Sequence, residues 1–419
     1  MGLAPRRSLS SANHTGRLVS QGRDLSRPVT NGRTPVREGK GTAPRRVPLG
    51  VTSAPAPRDV DVVVVGAGQA GLSTAWGLAR QGFERGSGFV VLDGEPAPGG
   101  AWRHRWASLT LGTTHRVHDL PGLPFTPDDD RAPAVESVPA YFAAYERHFE
   151  LPVVRPVRVS AVRRTDDGRF RVETDHGDWT ARGLVNATGT WTRPFVPRYP
   201  GQELFRGRQL HTVDYRSPEE FRGQHVVVVG GGASATQLLG EISRVTSTTW
   251  VTRRPPVWRE GVFDENAGRE VVAKVEEAVR QGRRPGSVVG LTGLLVSTPY
   301  IRDGLDRGVL ERLPVFDRIT EDGVAWDATP TRPPRFVAAD VILWATGFRA
   351  AVGHLAPLHL REPGAGFRLD GTQVVGEPRV HLVGYGPSAS TIGANRAGQA
   401  AARALRRELR PGAPLSRTA

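Results

Sequence analysis

Runs of branched apolar residues closed by glycine-rich turns recur along the chain. The valine run over residues 60–65, broken only by Asp61, has the pattern of a strand buried on both faces of a parallel sheet. It ends in Gly66-Ala67-Gly68-Gln69-Ala70-Gly71, after which Leu72, Ala75, Trp76 and Ala79 share one helical face. Residues 89–92 then read as a second strand, ending at Asp93. Strand, glycine loop, helix and strand make one βαβ unit. The same order returns at residues 226–229, closed by Gly230-Gly231-Gly232-Ala233-Ser234-Ala235, a helix over about 236–244 and a strand over 248–252. That strand ends in Arg253-Arg254 rather than an acid. Two further apolar strands close on one triplet, Leu184-Val185-Asn186-Ala187-Thr188-Gly189 and Ile342-Leu343-Trp344-Ala345-Thr346-Gly347. Between them, 270–280 reads as a charged helix, and the Gly/Leu/Val-rich piece up to residue 300 fits no element. A strand at 380–383, a loop from Gly384 to Ser390 and a helix over 392–409 complete the pattern.

The predicted fold is α/β with two Rossmann-like dinucleotide-binding domains, the second inserted into the first. The expected division is a tail over 1–58, a first domain over 59–205 and 331–410, an inserted domain over 206–330, and a flexible end over 411–419. The tail is read as disordered because it is rich in Arg, Pro, Ser, Gly and Thr, without apolar periodicity.

Charge refines this picture. The net charge of +14 suggests a polyanion partner until it is divided: residues 1–58 carry eleven Lys/Arg against two Asp/Glu. The remainder is only mildly basic, and no nucleic-acid partner is expected for it. The absence of cysteine removes disulfides, thiolate metal sites and the redox-active pair of a flavin disulfide reductase. No apolar run reaches the length of a membrane span. Arg6-Arg7 is not followed by an apolar h-region, so no secretory signal is expected and the cytoplasm is the default location. The spacing of His104, His115 and His118 fits no zinc pattern, and no metal site is expected.

In a G-x-G-x-x-G turn the first glycine permits the bend, the second admits a pyrophosphate and the third allows helix and strand to pack closely. Gly66, Gly68 and Gly71 stand in that order, with Asp93 twenty-two residues beyond the last as an acceptor for a ribose diol. In the second loop Gly230 and Gly232 are followed by Ser234 and by Ala235 in the third place, a permitted variant. Arg253 and Arg254 then occupy the position where an acid would favour NADH, and a guanidinium there accommodates the 2′-phosphate of NADPH.

Three more segments carry a resemblance. Gly99-Gly100-Ala101-Trp102, Gly189-Thr190-Trp191 with Pro194, Pro197 and Pro200-Gly201, and Phe205-x-Gly207-x-x-x-His211-x-x-x-Tyr215 are similar to segments of the flavin-containing and Baeyer–Villiger monooxygenases, over residues 59–405. The resemblance implies FAD on the first loop, with Gly100, Trp102, Thr188 and Gly189 beside it. It implies NADPH on the second, with Thr346 and Gly347 nearby. It also implies that molecular oxygen adds at the flavin C4a position and that the resulting hydroperoxide delivers one oxygen atom to an N-, S- or carbonyl-containing small molecule. His211 is the candidate catalytic residue, for positioning NADPH or for proton transfer. Two departures stand out. Counting back from Leu120-Pro121, the family's flavin-side asparagine falls on Gly112, and the C-terminal Gly-Asp of many flavoproteins reads Gly384-Tyr385. An NADPH–flavin oxidoreductase or oxidase without oxygen transfer, and a dinucleotide-binding redox sensor, are the alternative readings.

Overall fold

The computed structural model describes residues 58–114, 117–260, 265–286 and 293–409; the tail read over 1–58, apart from Arg58, and the end read over 411–419 lie outside them, as does His115. The first βαβ unit is β1 (Arg58–Val65), α1 (Gln69–Arg80) and β2 (Phe89–Leu92). Then come α2 (Ala134–His148), β3 (Val153–Val154), β4 (Val159–Arg164), β5 (Phe170–Thr174) and β6 (Trp179–Asn186). The second unit is β7 (Arg208–His211), β8 (Val226–Val229), α3 (Ala233–Ile242) and β9 (Thr248–Thr252). The short strands β10 (Trp258–Arg259) and β11 (Leu294–Leu295) flank α4 (Glu265–Arg280), and α5 (Pro299–Asp306) and β12 (Arg312–Pro314) follow. A small antiparallel sheet, β13 (Arg318–Ile319), β14 (Gly323–Trp326) and β15 (Arg335–Ala338), precedes β16 (Val341–Trp344). The chain closes with β17 (Leu369–Asp370), β18 (Gln373–Val374), β19 (Glu377–Leu382) and α6 (Thr391–Glu408).

Two sheets carry the glycine loops. The first runs β17-β18-β19-β6-β1-β2-β3, with β4 and β5 appended to β6; the second runs β12-β9-β8-β16-β7. All contacts in the second are parallel. Its strands lie between β6 and β17 in sequence, so the second domain is inserted into the first, as predicted. The boundary differs from the expected residue 330. Val341–Trp344 pairs with both β7 and β8, which puts the second Ala-Thr-Gly strand in the inserted sheet and returns the chain to the first sheet only at β17. All four of its residues are buried, which demands a central place, but apolarity does not say in which sheet.

The helix pair α1 and α6 covers one face of the first sheet and can approach closely because glycines meet small residues. A Cβ on Gly77 would lie 2.9 Å from Cβ of Ala402, and one on Gly398 would lie 2.8 Å from the amide nitrogen of Thr74. That contact fixes the distance between the N-termini of both helices, which the cavity below shares. Gly398→Ala is expected to lower the urea-unfolding midpoint, overpacking at such a site costing about 1–3 kcal/mol. Arg403→Ala, exposed on the same helix, should leave the midpoint close to the native value.

Candidate active site

The two glycine loops are built alike. Val65 pairs with Asn186 and Val229 pairs with Trp344, so each loop begins beside the Ala-Thr-Gly turn of a neighbouring strand. Gly66 (φ 100°) and Gly230 (φ 149°) then face Ala187 and Ala345. A Cβ on Gly66 would come within 2.7 Å of the Ala187 carbonyl oxygen, and one on Gly230 within 2.2 Å of that of Ala345. Gly71 closes the first turn, where a Cβ would lie 1.8 Å from the Gly66 oxygen. The middle glycines are the reverse case: among the described residues, no atom beyond the adjoining backbone lies within 4 Å of a Cβ built on Gly68 or Gly232. Both residues cap helices with no side-chain acceptor and no acid in the first turn, which leaves first-turn N–H groups for an anion. Buried Gln69 Oε1 has no hydrogen-bond partner, while its amide nitrogen donates at 3.0 Å to the His118 carbonyl and at 3.0 Å to Asn395 Oδ1. A crowded first glycine and an open middle glycine at a helix N-terminus fit the diphosphate bridge of a dinucleotide in each loop.

The first loop opens on a cavity of about 690 Å³, which the second reaches only through Ala233 and Ser234; Gly230, Gly232 and Ala235 are not among the residues that line it. Gly66, Gly68, Gln69, Asp93, Gly100, Trp102, Thr188 and Gly189 line it from the first sheet, and Ser234 lines it from α3. Asp93 is 5% exposed and lies 3.2 Å from Arg155 Nε, whose other nitrogens clasp Glu146 at 2.6 and 2.8 Å. Burial pushes the Asp93 carboxyl above its ordinary range, against the opposing pull of Arg155. The carboxylate is thereby held at the end of β2, where a ribose would meet it. Arg253 and Arg254 stand apart from this lining: they are exposed at the end of β9, with no ion pair among the described residues. Arg312 reaches the same strand end, donating to the Thr252 carbonyl at 3.3 Å and to its hydroxyl at 3.2 Å.

The Ala-Thr-Gly turns send two chains between the sheets, and the turns are laced together. The Thr188 hydroxyl donates at 2.6 Å to Ala351 O, beyond the second turn, and the Thr346 hydroxyl donates to Phe195 O, beyond the first. His211 belongs to this lacing. Nε2 lies 3.0 Å from the Gly347 carbonyl, the Val213 N–H donates to Nδ1 at 3.3 Å, and the ring meets Phe348 edge-on with centroids 5.0 Å apart. The histidine is 4% exposed, burial lowers its pKa, and it is absent from the cavity lining. Both nitrogens being engaged inside the protein, the geometry fits positioning of the Gly347 turn rather than proton transfer to a substrate. The rest of the fingerprint is likewise a clasp. Tyr215 OH donates at 2.7 Å to Glu241, and its ring meets Trp106 edge-on at 5.8 Å.

Position 112 does not face the cavity. The Gly112 N–H donates at 2.7 Å to Asp130 O, and a Cβ there would point at that same oxygen 3.3 Å away; Thr113 and Thr114 are the residues of this segment that line the cavity. Sequence reasoning did not single out four further residues of the site. Arg155 supports Asp93 from a segment without a motif. Gln237 and His354 line the cavity, and His354 Nε2 is buried without a partner. Arg105 sits inside the Trp102–Trp106 segment, whose alternation of aromatic and basic residues is the one visible signal.

Two outcomes follow from this geometry. Gly68→Val is expected to fold normally and lose bound flavin, read as visible absorbance per mole of protein, because its backbone (φ −82°) suits any residue and its Cβ meets only the cavity. Gly71→Ala should instead lower the unfolding midpoint. The second outcome concerns buried neutral histidines. Burial lowers His354 from 6.5 to about 4 and His381 from 6.5 to about 3. The unfolded chain binds these protons first, so stability is complete above about pH 6.5 and falls as the pH drops towards 4. Each histidine accounts for about 1.4 kcal/mol per pH unit in that window. Denaturant titrations between pH 7 and 4 should show a shallower slope in His354→Gln.

Comparison with known proteins gives the family of the chain. Residues 63–289 match the pyridine nucleotide-disulphide oxidoreductase family. The flavin-containing monooxygenase of Stenotrophomonas maltophilia is 35% identical and superposes with a TM-score of 0.68 over 83% of this chain and 98% of its own. A Baeyer-Villiger monooxygenase of Streptomyces coelicolor is 29% identical over 60% of this chain and 46% of its own length. An uncharacterized CzcO-like oxidoreductase of Geobacillus kaustophilus is 32% identical over 44% of this chain and 51% of its own. The matches thus span about half the length of these curated relatives. With no cysteine in these 419 residues, the chain supplies no thiol for the disulphide chemistry in the family's title. From the glycine cradles, the cavity and these matches, the chain belongs to the pyridine nucleotide-disulphide oxidoreductase family and, within it, to the flavin-containing monooxygenases.

Proposed function

We propose that this protein is an NADPH-consuming FAD monooxygenase that inserts one atom of molecular oxygen into a small organic substrate containing nitrogen, sulfur or a carbonyl. The observation that carries the reading is a cavity lined by the first cradle and by the start of α3 behind the second, the first cradle followed by a buried acid and the second by exposed arginines. FAD would rest on Gly66, Gly68, Gln69 and Gly71, with Asp93 on the ribose and Gly100, Trp102, Thr188 and Gly189 around it. NADPH would rest on Gly230, Gly232, Ser234 and Ala235, with Arg253 and Arg254 on the 2′-phosphate and Thr346 and Gly347 shaping the turn beside it. Bound FAD supplies hydride acceptance and oxygen activation. The chain orients the two cofactors through its helix N-termini, screens the reaction from water with Trp102, Trp106 and Phe142, and holds the inter-sheet turn through His211. The likeness to the Stenotrophomonas and Streptomyces monooxygenases, and to an indole-3-pyruvate monooxygenase of Oryza sativa 35% identical over 43% of this chain, supports oxygen transfer.

A flavin oxidase that returns oxygen as peroxide is the competing reading, favoured by a cavity that no asparagine lines among the described residues. Purified protein should be yellow, and NADPH should bleach it faster than NADH. Replacing both Arg253 and Arg254 by Ala should cut that preference by about tenfold, as expected for lost charge-assisted bonds to a phosphate. Incubation with sulfides, amines and ketones should give a product heavier by one oxygen atom, in proportion to NADPH consumed. Stoichiometric hydrogen peroxide without any such product would sink the monooxygenase reading, and colourless, flavin-free protein would sink both.

A further inference from the structure

We propose that Arg105 is an anion-recognition residue of the cavity and that the substrate carries a carboxylate. This deepens the monooxygenase reading and rests on it for the word substrate. Arg105 lines the cavity, its guanidinium lying 4.5 Å from the centre of the Trp191 ring and 5.7 Å from that of Trp102. Its Nε is buried without a hydrogen-bond partner, and among the described residues no carboxylate pairs with it. The acids of the same wall are already engaged. Asp93 is held by Arg155 at 3.2 Å, and Glu95 lies 3.0 Å from His104 Nε2 and 3.6 Å from Arg103 Nε.

A guanidinium taken out of water without a counter-ion is costly, and the cost is recovered when an anion arrives with matching geometry. Burial lowers the Arg105 pKa to about 10, so the group is still a cation at neutral pH. Its planar fork can donate two parallel bonds to a carboxylate. The cofactor phosphates have other partners to hand: the open glycines Gly68 and Gly232 at helix N-termini, and the exposed Arg253 and Arg254. Arg105 instead belongs to an aromatic wall, Trp102, Trp191 and Phe348, in which Trp191 and Phe348 stack with centroids 5.2 Å apart. A flat or apolar body lying on these rings would present its acid group to the guanidinium.

Isothermal titration of the purified holoenzyme with benzoate and with benzamide, alike in shape and different in charge, tests this directly. Benzoate should bind more tightly by about tenfold. The discrimination should vanish in Arg105→Gln and survive in part in Arg105→Lys. Equal affinities in the native protein, or an unchanged ratio in Arg105→Gln, overturns the proposal, and the native ratio decides even if a variant fails to fold. Weakened NADP⁺ binding in Arg105→Gln with the benzoate ratio intact also overturns it, by giving Arg105 to the cofactor. A parallel turnover assay compares para-methylthiobenzoate with its amide. Failure to oxidise either sulfide while benzoate is still preferred removes the oxygen-transfer reading and leaves the anion site. Oxidation of both with equal kcat/KM and no benzoate preference does the opposite.

Discussion

Between the sheets the Ala351 N–H donates to the Gly189 carbonyl at 2.9 Å, the Phe195 N–H to Gly347 at 3.0 Å and the Arg349 N–H to Arg193 at 2.8 Å. These backbone bonds pair the two crossing chains where they leave the Ala-Thr-Gly turns. Each turn in turn packs its alanine carbonyl against the first glycine of a dinucleotide loop. One short stretch of paired backbone therefore sets the relation of the two loops, and with it the shape of the cavity. The side chains that reinforce it, Thr188, Thr346 and His211, all bond to carbonyls of the crossing. The conspicuous histidine of the sequence motif thus acts on the frame of the site.

The charges of the site are arranged by the same economy. Asp93, Arg155 and Glu146 form a buried chain in which the cation serves two acids, and this keeps an aspartate usable at the end of β2 although burial works against its ionisation. Glu95 occupies Arg103 and His104. After these pairings Arg105 is left as a desolvated cation on an aromatic wall. The exposed arginines of the second loop differ physically from it: they keep their hydration, and a phosphate there would gain from charge without demanding enclosure.

The two cradles differ less in backbone than in what surrounds them. Both have a crowded first glycine and an open middle one, but only the first adds Gly99-Gly100 and Trp102, which bring a second wall over the loop; a Cβ on Gly100 would lie 3.1 Å from Cα of Gly68. The first cradle is accordingly enclosed by its own domain. The second meets the cavity chiefly through the start of α3. That asymmetry suits one resident cofactor and one that comes and goes.

Much of this was legible in the chain. The strands at 60–65 and 226–229 and the turns after them follow from β-branched runs ended by glycine, since a doubly buried parallel strand tolerates little else. The acid after one loop and the arginines after the other separate two nucleotide sites by local chemistry alone. Local pattern could not assign Val341–Trp344 to a sheet, because both Ala-Thr-Gly strands carry the same apolar run and sheet membership is a choice of distant partners. Nor could it see that His211 is absent from the cavity lining, that Gly112 faces Asp130, or that among the described residues no carboxylate pairs with Arg105. Those facts depend on which side chains from separate segments converge, and on which charges remain unpaired once they have. The sequence by itself determined two glycine cradles, the opposite charges that follow them and the absence of a thiol, because each depends on residues adjacent in the chain. The tertiary structure alone decided that the first cradle and the helix behind the second line one cavity, and that Arg105 stands in its wall with no carboxylate paired to it among the described residues, because both depend on which distant segments converge.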